Sequence, residues 1–308
     1  MNFISRVLAM MLLAVSVQAQ TIRIVSNLPA GSGPDTVARR LADTLSAKWR
    51  TPVVVDNRPG AAGVVALEYY ATLPADGNTI LMLDGGAWGT MPILYNKEDK
   101  FNHLQTLAPL YSNEWVLITN NKIKTLTDLR NAIQSRPFYG SWGIGSAGHF
   151  CGIEVARVLG VTATHVPYKE YGQWFADVVN GDLAYSCSSI GSTEQYRNSG
   201  KLNWLALTAH ERDAGYPEVP TTREFLGPQF HMNSAFITFF VHDAAPSLRV
   251  RQMRADIAET LATSELQQSV QFVRGKTWSG SFDEFDRFIK KSINDNRRLI
   301  RQADIRVN

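Results

Sequence analysis

The sequence predicts two α/β lobes, each a sheet flanked by helices, with the chain crossing between them twice. Three observations predict this. Short apolar runs alternate with segments whose apolar residues recur at helical spacing. Glycine- or proline-rich turns punctuate most junctions. The chain has 308 residues, 44% of them hydrophobic, which is enough for two separate cores.

The fold begins after a leader. Arg6 is the lone charge before an apolar run from Val7 to Val15, and Val17-Gln18-Ala19 places small residues at a cleavage site. This pattern predicts a secretory signal peptide over 1–19, cut after Ala19. The run is about half of the ~20 apolar residues that a membrane span needs. No cysteine near the cut can take a lipid, so the mature protein is expected free in the periplasm. Cleavage removes Arg6 and no acid, so the formal charge falls from +3 to +2. The basic run Arg297, Arg298, Arg301 and Arg306 reads as the solvated face of a last helix, with no nucleic-acid partner.

Ile22 to Ser26 predicts a buried strand, and Leu28 to Asp35 a Gly/Pro-rich turn. Val37, Leu41 and Leu45 then mark one face of a helix, with Pro34 and Asp35 suited to its first turn. Val53–Val55 is a second strand, Gly63–Leu73 a helix, and Thr79–Leu83 a third strand. Such units imply a parallel sheet with helices on both faces. The second set has strands at Val116–Thr119, Phe138–Ser141, Thr164–Val166, Leu183–Ser186 and Leu202–Leu207. Between them lie helices at Thr127–Gln134, Gly148–Leu159, Gln173–Val179 and Thr193–Asn198. Phe236–Val241 is one more strand, and everything from Ser247 onward reads as helical. The expected division is lobe 1 over 20–115, lobe 2 over 116–232, and a return to lobe 1 over 233–308.

Two strand-to-helix turns are rich in glycine: Gly31-Ser32-Gly33-Pro34-Asp35, and Gly143 through Ser146 and Ala147 to Gly148. Free amides at a helix N-terminus welcome an anion, and glycine admits it close to the backbone. Equivalent turns in two lobes would grip an anion from both sides. Asp35 is expected to brace the first turn, because direct contact would repel an anion. The second turn also fits a dinucleotide fingerprint at Gly143, Gly145 and Gly148, which keeps a nucleotide-dependent enzyme as the alternative. Ile144 spoils a nucleophile elbow at Ser146, and the six histidines, among them His210 and His231, lack metal-ligand spacing. His149 has two open readings, a donor to a ligand carboxylate or a structural cap. Trp88 beside Gly86, Trp142 in the second turn, and Tyr168 with Tyr171 are aromatic candidates for a cleft, with ordinary core packing as the other reading. Cys151 and Cys187 are expected to pair in the oxidising compartment; two separate buried thiols are the alternative.

These segments resemble a known family, the periplasmic binding proteins of tripartite tricarboxylate transporters, called TctC or Bug proteins. The resemblance is carried by Pro29-Ala30-Gly31 through Asp35, Asn57-Arg58-Pro59-Gly60-Ala61-Ala62-Gly63, Pro74-Ala75-Asp76-Gly77, Tyr139-Gly140-Ser141 and His165-Val166-Pro167-Tyr168-Lys169. It implies a Venus-flytrap clamp (type II-like) that binds an organic carboxylate and passes it to a membrane permease. No catalysis, cofactor or metal is implied, and a monomer is expected. By position, Leu28, Pro29, Ala30 and Gly31 should hold one carboxylate, often through water. Ser141 to Ser146 should hold the other end through amides and hydroxyls. Three departures bear on ligand identity: Glu170-Tyr171 after the Val-Pro-Tyr-Lys segment, Trp142 where small residues are common, and Ser188-Ser189 where many relatives carry an aspartate. Lacking that acid, the site is expected to take a carboxylate without an amino group, an aromatic or larger dicarboxylic acid being favoured. A sensor module binding the same ligand for a signalling partner is a further alternative.

Overall fold

The computed structural model describes residues 21–168, 170–209, 211–230, 232, 235–302 and 305–306. The expected signal peptide over 1–19, together with Lys169, His210 and His231, lies outside the described residues.

In lobe 1, β1 (Ile22–Ser26) leads into α1 (Gly33–Trp49), β2 (Val53–Asn57), α2 (Val64–Tyr70) and β3 (Thr79–Leu83). Three short helices, α3 (Gly85–Gly89), α4 (Met91–Leu94) and α5 (Glu98–Phe101), precede the long β4 (Leu104–Asn113). Lobe 2 runs through β5 (Trp115–Asn120), α6 (Leu126–Ser135), β6 (Phe138–Ser141), α7 (Ala147–Leu159) and β7 (Thr164–Pro167). It continues with α8 (Tyr171–Asn180), β8 (Tyr185–Ser189), α9 (Ile190–Asn198), β9 (Leu202–Leu207) and α10 (Thr222–Leu226). The chain returns to lobe 1 with β10 (Ala235–His242), α11 (Ser247–Leu261), α12 (Ser264–Phe272), β11 (Gly275–Lys276) and α13 (Phe282–Gln302).

Lobe 1 holds a six-stranded sheet in the order β11-β4-β10-β3-β1-β2, and lobe 2 a five-stranded sheet in the order β7-β6-β8-β5-β9. Alternation along each strand feeds a core on both faces. Ile80 and Met82 join the cluster of Leu41, Leu45 and Ile257, whereas Leu81 and Leu83 join that of Leu67, Phe240 and Phe285. Lobe 2 repeats the plan, with Tyr139, Val155 and Tyr185 on one side and Trp174, Phe175 and Trp204 on the other. Each such side chain removed from water contributes about 1.5–3 kcal/mol.

The sheets are mixed rather than parallel. The unit β2–β1–β3 is parallel, as is β7–β6–β8, but β10 runs antiparallel to β3 and β4, and β5 antiparallel to β8 and β9. The reason is the crossing. Only Glu114 separates β4 from β5, so no helix turns the chain around before it enters the second sheet. The ten-residue β4 has no counterpart in the sequence expectation. Pro109 argues against an interior strand, yet it sits opposite Thr238 where a register shift absorbs the missing donor. The region after Ser247 is not wholly helical either, since β11 pairs with β4 between α12 and α13. A two-residue strand carries no periodicity to read. The strand expected at Leu183–Ser186 is displaced to Tyr185–Ser189, which puts Ser188 inside the sheet.

Candidate functional site

The C-terminal ends of the parallel strands meet at the interface between the lobes, where open α/β sheets bind ligands. Because β1 and β3 are neighbours, the turn after β1 lies beside the start of α3. Asn27 donates to Asp84 at 2.7 Å and accepts from the Asp84 amide at 3.1 Å, which ties the two together. Asp84 in turn caps α3 by accepting from the amides of Gly86 and Ala87. The lobes touch here: the Thr90 hydroxyl lies 2.6 Å from the carbonyl of Gly145 in the second glycine turn, and a side chain on Gly86 would meet that same carbonyl. On another side, Lys276 of β11 lies 2.6 Å from Glu114 and 3.0 Å from Asp213, and Arg274 lies 2.9 Å from Glu194 of α9. The Lys276–Asp213 and Arg274–Glu194 pairs cross from lobe 1 to lobe 2, whereas Glu114 stands at the crossing itself.

The two glycine turns are unequal. In the first, Leu28 donates its amide to Ser26, Gly31 to the Asp35 carboxylate at 2.8 Å, and Ser32 to the Pro29 carbonyl. Pro34 has no amide, and that of Asp35 is capped by Ser32. An expectation of a direct backbone grip by this whole turn is therefore reduced to the amides of Ala30 and Gly33. Asp35 is buried within the turn. Burial pushes its carboxyl up, but Arg39, Asn57 and the Gly31 amide outweigh that and hold it below the usual range. It is a brace made of an ionised acid.

In the second turn, Ser146 caps α7 by accepting from the His149 amide and donates to Ser141 at 3.0 Å. Ser141 accepts from the Gly143 amide at 3.1 Å and lies 2.6 Å from Nε2 of His165. The Gly145 amide donates to Nδ1 of His149 at 3.1 Å. His149 is thus an acceptor from the turn, the structural reading, and its proton sits on Nε2. Burial, then the neighbouring His165, pulls His149 down to about 3, and burial pulls His165 down to about 4, so both rings are neutral at neutral pH. What remains open is the start of α7: the amides of Ala147 and Gly148 find no partner among the described residues, and they stand at the positive end of a 13-residue helix. Gly148 is required there, because a Cβ would lie 2.8 Å from the Cys187 carbonyl and 3.2 Å from Trp115.

The other candidates divide. Ser188 and Ser189 end β8 beside β6, with Ser189 paired opposite Trp115 and its hydroxyl 2.7 Å from Ser192. Cys151 and Cys187 are bonded, with Cα atoms 6.1 Å apart, which fastens α7 to β8 directly under the turn. Trp142 is 37% exposed, donates to the Tyr171 hydroxyl at 3.0 Å and packs edge-on against Trp174. Tyr168 donates to Asp177 at 2.6 Å and stacks on Trp174, so its hydroxyl serves lobe 2. Trp88 overturns its expectation. It is 2% exposed in the core of lobe 1, its indole donates to the Phe236 carbonyl at 2.8 Å, and it packs on Phe288. In a short helix whose N-terminus faces the cleft, the fourth residue points back into the sheet. Thr90, Arg274 and Lys276 were not legible as interface residues. Asp84 before Gly85-Gly86 carries a helix-cap signal that could have been read.

The sequence profile of the tripartite tricarboxylate transporter family receptor matches residues 37–305. The chain belongs to that family. It is 30% identical to the protein BugT of Bordetella pertussis over 220 residues, which cover 69% of this chain and 68% of BugT. Among solved structures it resembles MatC from Rhodopseudomonas palustris with bound malate, at a TM-score of 0.77 and 23% identity, covering 91% of this chain and 98% of that one. It also resembles Rpa4515 of R. palustris with adipate, at a TM-score of 0.79 and 23% identity, covering 93% and 98%. At such identities the likeness establishes the two-lobed fold. Among the described residues of this receptor-family chain, no helix is long and apolar enough to cross a membrane, and no cluster of acids, histidines or cysteines could hold a metal.

Proposed function

We propose that this chain is a periplasmic solute-binding protein that holds an organic carboxylate between its lobes and delivers it to a membrane permease of the tripartite tricarboxylate type. It is a clamp and catalyses nothing. One observation carries the reading: the amides of Ala147 and Gly148 stand without a partner among the described residues at the N-terminus of α7, while the hydroxyls of Ser141 and Ser146 and the amides of Gly143, Gly145 and Ser146 are engaged in holding the shape of the turn. A carboxylate accepts from both amides and meets the helix dipole without requiring a counter-charge. Lobe 1 faces it with the amides of Ala30 and Gly33, and Thr90 links the lobes through the Gly145 carbonyl. Malate and adipate, bound by the two structural relatives, are dicarboxylates, which supports the same chemistry here.

Ser188 and Ser189 offer hydroxyls and no charge to an ammonium, so an acid lacking an amino group is the expected ligand. The burial of Trp88 leaves Trp142 as the flat surface available to an aromatic acid. Titration calorimetry of the mature protein with succinate, citrate, terephthalate and glutamate tests the assignment. An acid without an amino group is expected to bind, and at a hundred times its dissociation constant it should add about 2.7 kcal/mol of stability. Tight binding of glutamate alone contradicts the role given to the serines. Terephthalate far below succinate removes Trp142 from the site.

A further inference from the structure

A groove of about 980 Å³ runs along α7 beside the cleft and reaches Ile144 of the second glycine turn. Ile153, Arg157 and His149 line it from α7 and His165 from β7. Lobe 1 closes the opposite side with Leu299 of α13 and with Ile305 just beyond that helix. Leu28 to Gly31, Gly86, Ser188 and Ser189 are not among its walls.

The hydrogen-bond donors of this groove follow from the bonds already committed to the cleft. Nδ1 of His149 accepts from Gly145, which leaves Nε2–H as the donor of a ring that is 6% exposed. Ser141 already accepts from the Gly143 amide and the Ser146 hydroxyl, which fills both lone pairs. Its own proton therefore goes to Nε2 of His165 at 2.6 Å, in preference to the Gly143 carbonyl at 3.1 Å, and His165 carries its proton on Nδ1. The two rings lie 4.1 Å apart. Arg157 and Arg306 also line the groove, but the Arg157 guanidinium is already committed to Glu154 and the Gln229 carbonyl, so the two imidazole N–H groups are the donors the site is argued from. The nearby carboxylate, Glu154, is buried and held by Arg157 at 2.6 and 2.7 Å. The walls thus present donors to an acceptor and apolar surface at Ile153, Leu299 and Ile305, in a volume suited to a small molecule.

We propose that this groove is a second binding site, for a small monocarboxylate with an apolar body, and that its occupant acts on the cleft through His149 and His165. The route is short. Each imidazole has one nitrogen on the glycine turn and the other left for the groove, so a ligand that draws on the outer nitrogen reorients the ring that fixes Gly145 or Ser141. The groove is also built from both lobes, so its width changes when the lobes separate, and an occupant that spans it favours one degree of closure.

The test follows the histidine ring nitrogens of the full mature protein by ¹⁵N nuclear magnetic resonance, with benzoate as probe and benzyl alcohol as its uncharged counterpart. Benzoate is expected to shift the His149 and His165 signals saturably, and benzyl alcohol to bind at least about tenfold more weakly. Ile153→Trp and Leu299→Trp fill the groove from opposite walls. Each is expected to weaken benzoate at least about tenfold, and two variants from two lobes guard against the misfolding of one. Absence of a saturable shift up to about 10 mM benzoate overturns the proposal. So does equal binding of benzyl alcohol, and so does benzoate binding that survives in both folded tryptophan variants, which places the probe in the cleft.

Discussion

Replacing Cys151 and Cys187 together by alanine is expected to lower the unfolding free energy by about 3–4 kcal/mol. The bond spans a sequence separation of 36, and closing a loop of that length removes chain entropy from the unfolded state on this scale. The local consequence is as important. The bond ties the start of the second turn of α7 to β8, and Gly148 already packs against the Cys187 carbonyl, so the open amides of Ala147 and Gly148 are positioned by the same fastening. Denaturant unfolding of the wild type and the double variant reads the difference. An unchanged midpoint, or two free thiols counted in denaturant without reductant, contradicts it.

The second large effect is on acidification. His149 has its pKa lowered to about 3 by burial and by His165, against about 6.5 in the unfolded chain. Between those values the unfolded state binds the proton and the folded state does not, so stability is complete above pH 6.5 and falls as the pH falls. By pH 4.5 the expected loss from this ring is on the order of 2–3 kcal/mol. His165, held down to about 4, adds to it in the same direction, and its more open position makes its share smaller. Asp35 lies outside this window, because a lowered carboxyl withdraws its stabilisation only as the pH falls below about 3.8. His149→Asn keeps an acceptor near Nδ1 for the Gly145 amide. It should be less stable than the wild type at pH 7.5 and lose less between pH 6.5 and 4.5. Equal losses in the two proteins would show that the ring does not titrate this way.

The elements that the sequence placed well are those in which local and tertiary signals agree. β1, β3, β6 and β9 fall on Ile22–Ser26, Thr79–Leu83, Phe138–Ser141 and Leu202–Leu207, the ranges expected from apolar runs between turn residues. α7 ends at Leu159, the end expected for that helix, and Gly160 follows it in the left-handed region. What escaped depended on distant partners. β4 is a strand because β10 and β11 pair with it on either side, and a bulge on β4 at Leu110 accommodates Pro109; nothing local announces this. Strand direction followed from the crossing at Glu114 rather than from repeat length. In the site, the glycine turns and the bracing role of Asp35 were readable from residue chemistry. Which amides are spent internally was not, because it turns on a serine and histidine network spread from Ser141 to His165. Trp88 failed for a related reason: proximity to Gly86 in sequence says nothing of the face on which an indole emerges.

The central claim is that the N-terminus of α7 holds the ligand carboxylate through its two open amides. Ala147→Pro tests it most directly. Ala147 follows the cap residue Ser146, so it occupies the first helical position, where proline is tolerated, and Ser146 has the extended backbone (ψ 158°) that a following proline requires. The substitution deletes one amide proton and leaves the helix in place. Calorimetric titration of this variant with the tightest acid of the panel should give an affinity about 10- to 100-fold weaker, the worth of one hydrogen bond to a charged group, with an unchanged unfolding midpoint. An affinity equal to that of the wild type in a fully folded variant contradicts the account.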